Sequence, residues 1–284
     1  MGLPAALAAT AVFGVALGVA NGAATLTEHS LGWDRPATSL VQAALCSGLT
    51  LAGICWLARQ LSTSAMFFGL RRRGIGRDAG LGLLIVLASA GVVLGLAALA
   101  GLITVTAVRP AALAAFLLTT VVVATGFEAF PEELAFRGFV LTSLQDRCTL
   151  LASAVGATVL FVVAPGPSNL VSGLIVWVLA DGPAPRYAVA PAGEDPVVYV
   201  VWSICLLSAR LVTGSIWTGV AAHLGMLVIN RLVLSTTSGL EVRLSHPDVV
   251  LVLPAYVLLA TLGFTLLRRH RRCSGSSAMV QQRA

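Results

Sequence analysis

The sequence predicts an all-α membrane protein, a polytopic bundle of about eight transmembrane helices. Of its 284 residues, 57% are hydrophobic and only 11% are charged, and the mean hydropathy is +0.92. A soluble domain carries about 25% charged residues. Apolar runs of the length that crosses a bilayer as a helix, about 20 residues, recur along the chain. We therefore expect an integral membrane protein whose partners include the lipid bilayer.

Eight apolar segments are long enough to be predicted as spans. The helix of the fourth span is expected to continue through a cluster of charged residues to about Gln145. Residues 171–180 are apolar but too short to cross, which predicts a re-entrant or buried piece. The spans cover approximately residues 3–26, 37–57, 79–103, 110–127, 149–164, 197–212, 215–234 and 249–267.

The arginines predict the topology. They cluster in the loop 59–78 and in the tail, and the chain contains no lysine. Arg-rich loops stay in the cytoplasm, so eight spans place both termini inside and the polar loop 181–196 outside. Residues 1–267 are then a single transmembrane domain, and 268–284 are a basic cytoplasmic tail. With no folded basic domain, nucleic acid is not an expected partner, and the all-arginine usage suggests a bacterial cell membrane.

One short stretch places Glu128, Glu132, Glu133 and Arg137 between long apolar runs. Each such residue costs roughly 2.5–3.5 kcal/mol at a membrane helix centre, so it is expected to pair, face a cavity or do chemistry. Pro131 predicts a kink after which the helix restarts. Glu133 and Arg137 then form an i,i+4 pair. Glu132 points away from that pair and is a candidate general base. A purely structural polar knot is the alternative.

His223 is the histidine that falls inside a predicted span. It lies about 14 Å below the turn at Gly214, at 1.5 Å per residue. A lone histidine in a bundle is more often a hydrogen-bonding packing residue, but carboxylates in the same membrane favour a functional role. The five cysteines contain no CxxC pair, so neither a disulfide framework nor a thiolate zinc site is expected.

Two motifs carry a resemblance to a known family. Residues 132–138, Glu-Glu-Leu-Ala-Phe-Arg-Gly, resemble its EExxxR-G motif, and Thr-Gly-Ser-Ile-Trp at 213–217 followed by His223 resembles its later motif. The family is that of the CAAX prenyl endopeptidase and bacteriocin-processing (CPBP, or Abi) intramembrane metalloproteases. The resemblance covers about residues 120–235, and the order, spacing and membrane context of the motifs agree with it.

The resemblance implies a helical bundle with a conical cavity opening toward the cytoplasmic side. It implies hydrolysis of a peptide bond in a membrane-associated peptide or protein, such as a prenylated C-terminus or a leader peptide. Glu132 would be the general base or a metal ligand, and Glu133 would assist, held by Arg137. His223 would be a metal ligand or would stabilise the oxyanion. The implied cofactor is a divalent metal, zinc, held by Glu132 and His223.

Two positions depart from the family pattern. Its middle motif is FxxxH; here Phe161 matches but Pro165 stands in place of the histidine. Leu227 stands where an asparagine usually follows His223, and Asn230 lies further along the helix. Zinc catalysis uses about three protein ligands, so these losses favour a metal-free scheme with Glu132 as base and His223 as oxyanion donor.

Three functional hypotheses remain: an active peptidase, a catalytically inactive relative that acts as a membrane binding or scaffold protein, and a transporter or channel whose pathway includes the Glu/His cluster. The transporter is the weakest, because the chain shows no repeat and no matching pair of broken helices. Glu128 is a possible substitute for a missing site group. The peptidase hypothesis requires Glu132 and His223 to lie within about 8 Å of each other on a shared cavity.

Overall fold

The computed structural model describes residues 1–63, 68–71, 73–179 and 196–281. Within these ranges, seven helices are long and apolar enough to cross a membrane, and a shorter apolar helix covers Val197–Thr213. The predicted all-α polytopic membrane bundle is therefore confirmed. The seven helices are Leu3–Leu31, Arg35–Gln60, Ile75–Leu99, Pro110–Gln145, Leu150–Leu179, Ile216–Leu234 and Val249–Arg271.

The fourth of these helices carries the charged stretch, and we call Pro110–Gln145 the site helix. It comprises the α-helical segments Pro110–Ala124, Phe130–Glu132 and Leu141–Gln145, with a π-helical segment between each consecutive pair. The helices are α1 Leu3–Leu31, α2 Arg35–Gln60, α3 Ile75–Leu99, α4 Pro110–Ala124, α5 Phe130–Glu132, α6 Leu141–Gln145, α7 Leu150–Val163, α8 Pro165–Leu179, α9 Pro196–Thr213, α10 Ile216–Leu234 and α11 Val252–Gln281; the strands are β1 Ile103–Val108 and β2 Leu240–Leu244.

Local sequence signals explain the turn between the first two helices. Gly32 ends α1 in the left-handed region, with φ at 63°, which glycine adopts without strain. Asp34 then caps α2, because its Oδ1 accepts a hydrogen bond from the Ala37 amide at 3.0 Å. Pro36 lies in the first turn of α2, where a missing amide hydrogen costs nothing.

The N-terminus and the C-terminal part of α11 lie at one face of the bundle, which we call the termini face. The Met1 amino group pairs with Asp146 at 2.8 Å, just beyond the end of the site helix. At the other end of the chain, Arg271 Nη1 donates to the Val212 carbonyl at 3.2 Å. Helix α11 continues to Gln281, so the predicted boundary between domain and tail at 267 falls inside a helix. The cytoplasmic location of this face stays a prediction.

The opposite face carries a two-stranded antiparallel sheet, and we call it the sheet face. Ile103 pairs with Leu244 and Val108 with Leu240, with an irregularity between Val105 and Ala107. Sequence analysis missed this sheet and extended the third span to residue 103. The strand Ile-Thr-Val-Thr-Ala-Val is as apolar as the preceding helix, but its β-branched residues favour an extended backbone.

The prediction of a short re-entrant piece at 171–180 is wrong over the residues described. Helices α7 and α8 are separated by Ala164 alone, and together they form an apolar run over Leu150–Leu179. Pro165 and Pro167 lie in the first turn of α8, where amide hydrogens have no partner inside the helix. These prolines therefore begin a helix. Of the predicted loop 181–196, all but Pro196 lies outside the described residues.

The site helix does not restart at Pro131, contrary to expectation. It runs through the proline, with π-helical segments Thr125–Ala129 and Glu133–Val140 on either side of α5. Proline lacks an amide hydrogen and its ring meets the carbonyl four residues back, and the wider π turns accommodate both effects. Such π-helical insertions are frequent at functional sites. Here the second segment begins at Glu133.

Aromatic packing fixes the site helix against its neighbours. The Phe136 ring meets Phe13 of α1 at 5.2 Å and Phe161 of α7 at 5.3 Å, both edge to face. Toward the termini face, Phe139 stacks on Phe68 at 4.8 Å. The rings of Phe136, Phe139 and Phe68 are fully buried. This rigid surround holds the charged side chains of the same helix in place.

Candidate active site

The site brings together the site helix and α10, and a capped turn sets the start of α10. Gly214 has φ at 73°, the left-handed conformation that favours glycine. Ser215 is the N-cap, and its Oγ accepts a hydrogen bond from the Trp217 amide at 3.3 Å. This explains the Thr-Gly-Ser motif, since it fixes where α10 begins. His223 then lies seven residues into the helix, about 10 Å from its start.

Trp217 anchors the N-terminal end of α10 through a hydrogen bond and a ring contact. Its indole Nε1 donates to the Arg71 carbonyl at 3.1 Å, and its ring stacks on Phe130 of the site helix at 6.0 Å. The Ile216 amide donates to the Gly69 carbonyl at 3.2 Å. The tryptophan of the motif thus positions α10 beside α5.

The His223 imidazole lies between two carboxylates. Its Nε2 is 3.9 Å from Glu132 Oε2, and its Nδ1 is 3.5 Å from Glu133 Oε1. The distance that the peptidase hypothesis requires is therefore met, whereas His223 is not among the residues that line the cavity beside Glu132. The Glu132 side chain keeps 16% of its surface exposed, whereas His223 keeps 3% and Glu133 none. The Trp202 and His223 rings pack edge to face, with their centroids 5.5 Å apart.

Glu133 and Arg137 form an ion pair, as their spacing predicts. Glu133 Oε1 lies 3.3 Å from Arg137 Nη1, and both side chains are buried. The guanidinium carbon also lies 4.4 Å from the centre of the Phe161 ring, a favourable cation–π distance. Because Glu133 Oε1 faces both Arg137 and His223, the ion pair connects directly to the imidazole.

Gly219 is a site residue that sequence analysis missed. A Cβ built at this position would overlap Glu133 Oε2, so the glycine allows the carboxylate to press against α10. It lies four residues before His223, on the same face of the helix. That spacing was a usable signal in the sequence, since a small residue one turn from a candidate ligand permits close approach of a second helix.

Glu132 lines a cavity of ≈ 430 Å³ that extends away from the imidazole toward the sheet face. Pro165, in the place of the family's histidine, lines the same cavity, together with Ser168 and Asn169 of α8 and Asn21 of α1. The resemblance implies a cavity that opens to the cytoplasmic side. This cavity leads to the sheet face. If the termini face is the cytoplasmic one, as predicted, the cavity opens to the opposite side from the one that the resemblance implies.

Glu128 is engaged by a residue that sequence analysis did not identify. It pairs with Arg231 of α10, and both side chains line the same cavity as Glu132. Glu128 therefore does not take the place of a missing group beside His223. The spacing was again informative, since Arg231 lies two turns beyond His223 on the same helix face.

The two positions after His223 have structural roles. Leu227 is buried in an apolar cluster with Ala124, Ala129 and Val220. Asn230 Oδ1 accepts a hydrogen bond from the Tyr256 hydroxyl at 2.7 Å, which ties α10 to α11. Neither residue supplies the function that the family's asparagine would have.

The donors that could hold zinc do not complete a site. A metal at His223 Nε2 would have Glu132 beside it, but Glu133 lies at Nδ1, on the other edge of the ring. Pro165 offers no ligand, and zinc catalysis uses three. Within the part of the chain that the structure describes, no group of three or more His, Cys, Asp or Glu residues is arranged to hold a metal ion.

Comparison with known proteins agrees with the two motifs. Residues 110–229 match the family model described as "Type II CAAX prenyl endopeptidase Rce1-like". No curated protein and no solved structure matches the chain. The matched region holds the entire site helix and α10 as far as Ile229, and so includes Glu132, Glu133, Arg137 and His223. Both family motifs fall inside that match, so the match and the motifs together support assigning this part of the chain to the CPBP family of CAAX prenyl endopeptidase-like membrane proteins.

Proposed function

We propose that the protein is an intramembrane endopeptidase that hydrolyses a peptide bond of a membrane-associated peptide or protein. The match of residues 110–229 to the Rce1-like family model supports a CAAX protease-type activity. The observation that carries the proposal is the 3.9 Å distance between Glu132 Oε2 and His223 Nε2, beside a cavity that Glu132 lines. Peptide hydrolysis requires a base and an electrophilic group close to each other. Here Glu132 lines the cavity and the His223 imidazole lies directly behind it.

Glu132, rather than Glu133, is assigned as the general base. Glu132 faces the cavity and has no arginine or lysine paired with it among the described residues. Glu133 is fully buried and already pairs with Arg137. A base must reach the proton that it removes, so the carboxylate open to the cavity is the one that can accept a proton from water.

Glu133 and Arg137 are assigned as positioning residues for His223. Glu133 Oε1 lies 3.5 Å from Nδ1 without a formed hydrogen bond, so its negative charge favours a proton on that nitrogen and this orientation of the ring. In the doubly protonated imidazole, Nε2–H then faces the Glu132 side of the ring. That N–H is the donor assigned to the oxyanion.

The proposed hydrolysis has two steps, attack of water on the carbonyl carbon and cleavage of the C–N bond. Glu132 removes one proton from water while the water oxygen bonds to the carbonyl carbon, and the carbonyl oxygen becomes an oxyanion facing His223 Nε2–H. The oxyanion then re-forms the carbonyl as the C–N bond breaks, and Glu132 returns its proton to the leaving amine. No step passes through a metal, because the donors around His223 Nε2 fall short of a zinc site.

The decisive test compares wild type with Glu132→Gln in the native host, with membrane peptides identified by mass spectrometry. Loss of general-base catalysis should reduce product release by roughly 10²–10⁴-fold. Asp78→Asn, near the start of α3, is the matched control and should release the same peptides as wild type. Identical peptide profiles for all three proteins would refute the peptidase assignment.

Pro165 favours one second candidate, a catalytically inactive relative that binds membrane peptides or acts as a scaffold. In that case Glu132→Gln would leave the peptide profile unchanged, while the protein would still co-purify with a membrane peptide or protein. The remaining proposals are a bacterial cell membrane as the location and the termini face as its cytoplasmic side. Prenylated C-termini and leader peptides are the proposed substrate classes.

A further inference from the structure

A second cavity of ≈ 270 Å³ lies between α1, α2 and α8, nearer to the sheet face than the first. Eight of its nine lining residues have polar side chains, among them Gln42, Thr38 and Ser172. All of these residues belong to helices that are otherwise long and apolar enough to cross a membrane. A polar cluster of this size inside three such helices needs a physical explanation.

Polar side chains in membrane helices are costly unless they pair or contact water. One pair exists here, since Gln42 Nε2 donates to Asn21 Oδ1 at 2.6 Å. The hydroxyl oxygens of Thr38 and Ser168 are buried and have no hydrogen-bond partner among the described residues. Buried polar groups without a protein partner are normally satisfied by water molecules. The cluster therefore has the chemistry of a hydrated space.

The two cavities adjoin each other. Asn21 and Asn169 line both of them. The second cavity extends to Glu28, in the last turn of α1, and the first reaches Glu132. Both cavities are large enough for several water molecules, since one water molecule occupies about 30 Å³ in the liquid. The polar residues Asn21 and Asn169 thus connect the polar second cavity near the sheet face to the cavity that Glu132 lines.

Toward the termini face, the described packing around the site is dense and apolar. Phe68, Phe139 and Ile216 are exposed by 1% or less. Water entering between α1, α2 and α8 meets amide and hydroxyl groups along its path instead. The polar lining therefore marks a route for water from the sheet face.

We propose that the two cavities form a water path from the sheet face to Glu132, and that Asn21, Gln42 and Asn169 are its hydrogen-bonding lining. The delivery of water for hydrolysis rests on the proposed function, whereas the hydration of the path does not. The path predicts that an aqueous reagent reaches the middle of α8 from the face opposite the termini.

Cysteine labelling tests the path without requiring catalysis. The starting protein keeps Cys148, which is exposed just beyond the site helix at the termini face, and has its other cysteines replaced by alanine. Ser172→Cys places a thiol in the second cavity, and Leu174→Cys, with a mostly exposed side chain on the same helix, is the matched lipid-facing control. A membrane-impermeant charged thiosulfonate is added to one side of sealed proteoliposomes, and then to the other.

Thiols react as thiolates, which form in water and not in hydrocarbon, so Ser172→Cys should react at least about tenfold faster than Leu174→Cys. It should react from the side opposite the one that labels Cys148. Asn169→Cys serves as a second variant if Ser172→Cys does not fold. Reaction only from the Cys148 side, or at the rate of the lipid-facing control, would overturn the proposal and would favour lipid or protein in the cavity.

Gln42→Leu tests whether the lining matters. It replaces the polar side chain at the wall by an apolar one of similar size and should slow the labelling of Ser172→Cys several-fold. Gln60→Leu, at the other end of α2, should not change it. If Gln42→Leu leaves the labelling rate unchanged, Gln42 does not belong to the path. Labelling should persist in a Glu132→Gln background, so failure of the peptidase assignment remains distinguishable from failure of the water path.

Discussion

The Glu133 carboxylate packs against the backbone of α10 at Gly219, where any side chain would overlap it. This contact lies within one helical turn of His223, the residue whose Nδ1 faces the same carboxylate. The closeness of the site helix to α10 therefore depends on a residue without a side chain. Glu133 is therefore positioned by contacts on two helices, with Arg137 on the site helix and with Gly219 on α10.

Gly219→Ala is expected to impair activity more than folding. The added methyl group must push the carboxylate away from His223 Nδ1, at a cost of about 1–3 kcal/mol for overpacking a dense site. Peptide release and the thermal unfolding temperature should be measured together. Gly91→Ala is the control, because a Cβ there meets no atom within 4 Å. Equal activity in the two variants would show that the contact is not needed.

The Glu133–Arg137 pair is expected to be strongly coupled. Removing one partner, in Glu133→Gln or Arg137→Met, leaves an uncompensated buried charge and should cost about 3–5 kcal/mol of stability. The double variant should lose less than the sum of the two single losses. Unfolding of the purified proteins in detergent gives the coupling energy. Simple additivity would contradict the direct contact seen between the two side chains.

Pro165→His should create a zinc site that the natural sequence does not complete. The new imidazole would enter the cavity that Glu132 lines and would add a ligand to Glu132 and His223. Metal content after dialysis should rise to one zinc per chain and fall again when His223→Ala is added. Pro167→His is the control, because Pro167 faces Gly14 of α1. Zinc retained by both variants would point to adventitious binding.

The Glu128–Arg231 pair should contribute modestly to stability. Both side chains remain partly exposed, and such pairs are worth roughly 0.2–1 kcal/mol. Glu128→Ala should lower the unfolding temperature slightly, and the exchanged pair Glu128→Arg with Arg231→Glu should restore it. Glu241→Ala breaks the more exposed pair with Arg109 and should have a smaller effect. No recovery in the exchanged variant would mean that the cavity wall requires this particular arrangement.

The sequence alone was sufficient to predict the membrane bundle and to single out Glu132, Glu133, Arg137 and His223, but not Gly219 or Arg231. Hydropathy over about 20 residues is a local property, so the spans follow from composition. Glu133 and Arg137 are four apart on one helix, and their pairing is likewise local. The predictions were wrong at two prolines, because a proline is compatible with more than one local structure. Pro131 predicts a kink but is accommodated by π turns, and Pro165 predicts an end but begins a helix.

Only the tertiary structure decided which groups meet between helices. That Glu132 and Glu133 face different nitrogens of His223 depends on the packing of the site helix against α10. The same packing gives Gly219 its role and engages Glu128 with Arg231. Contacts between residues about ninety positions apart are set by helix rotation and close approach, which no periodicity in one segment encodes. The direction of the cavity beside Glu132 is decided in the same way.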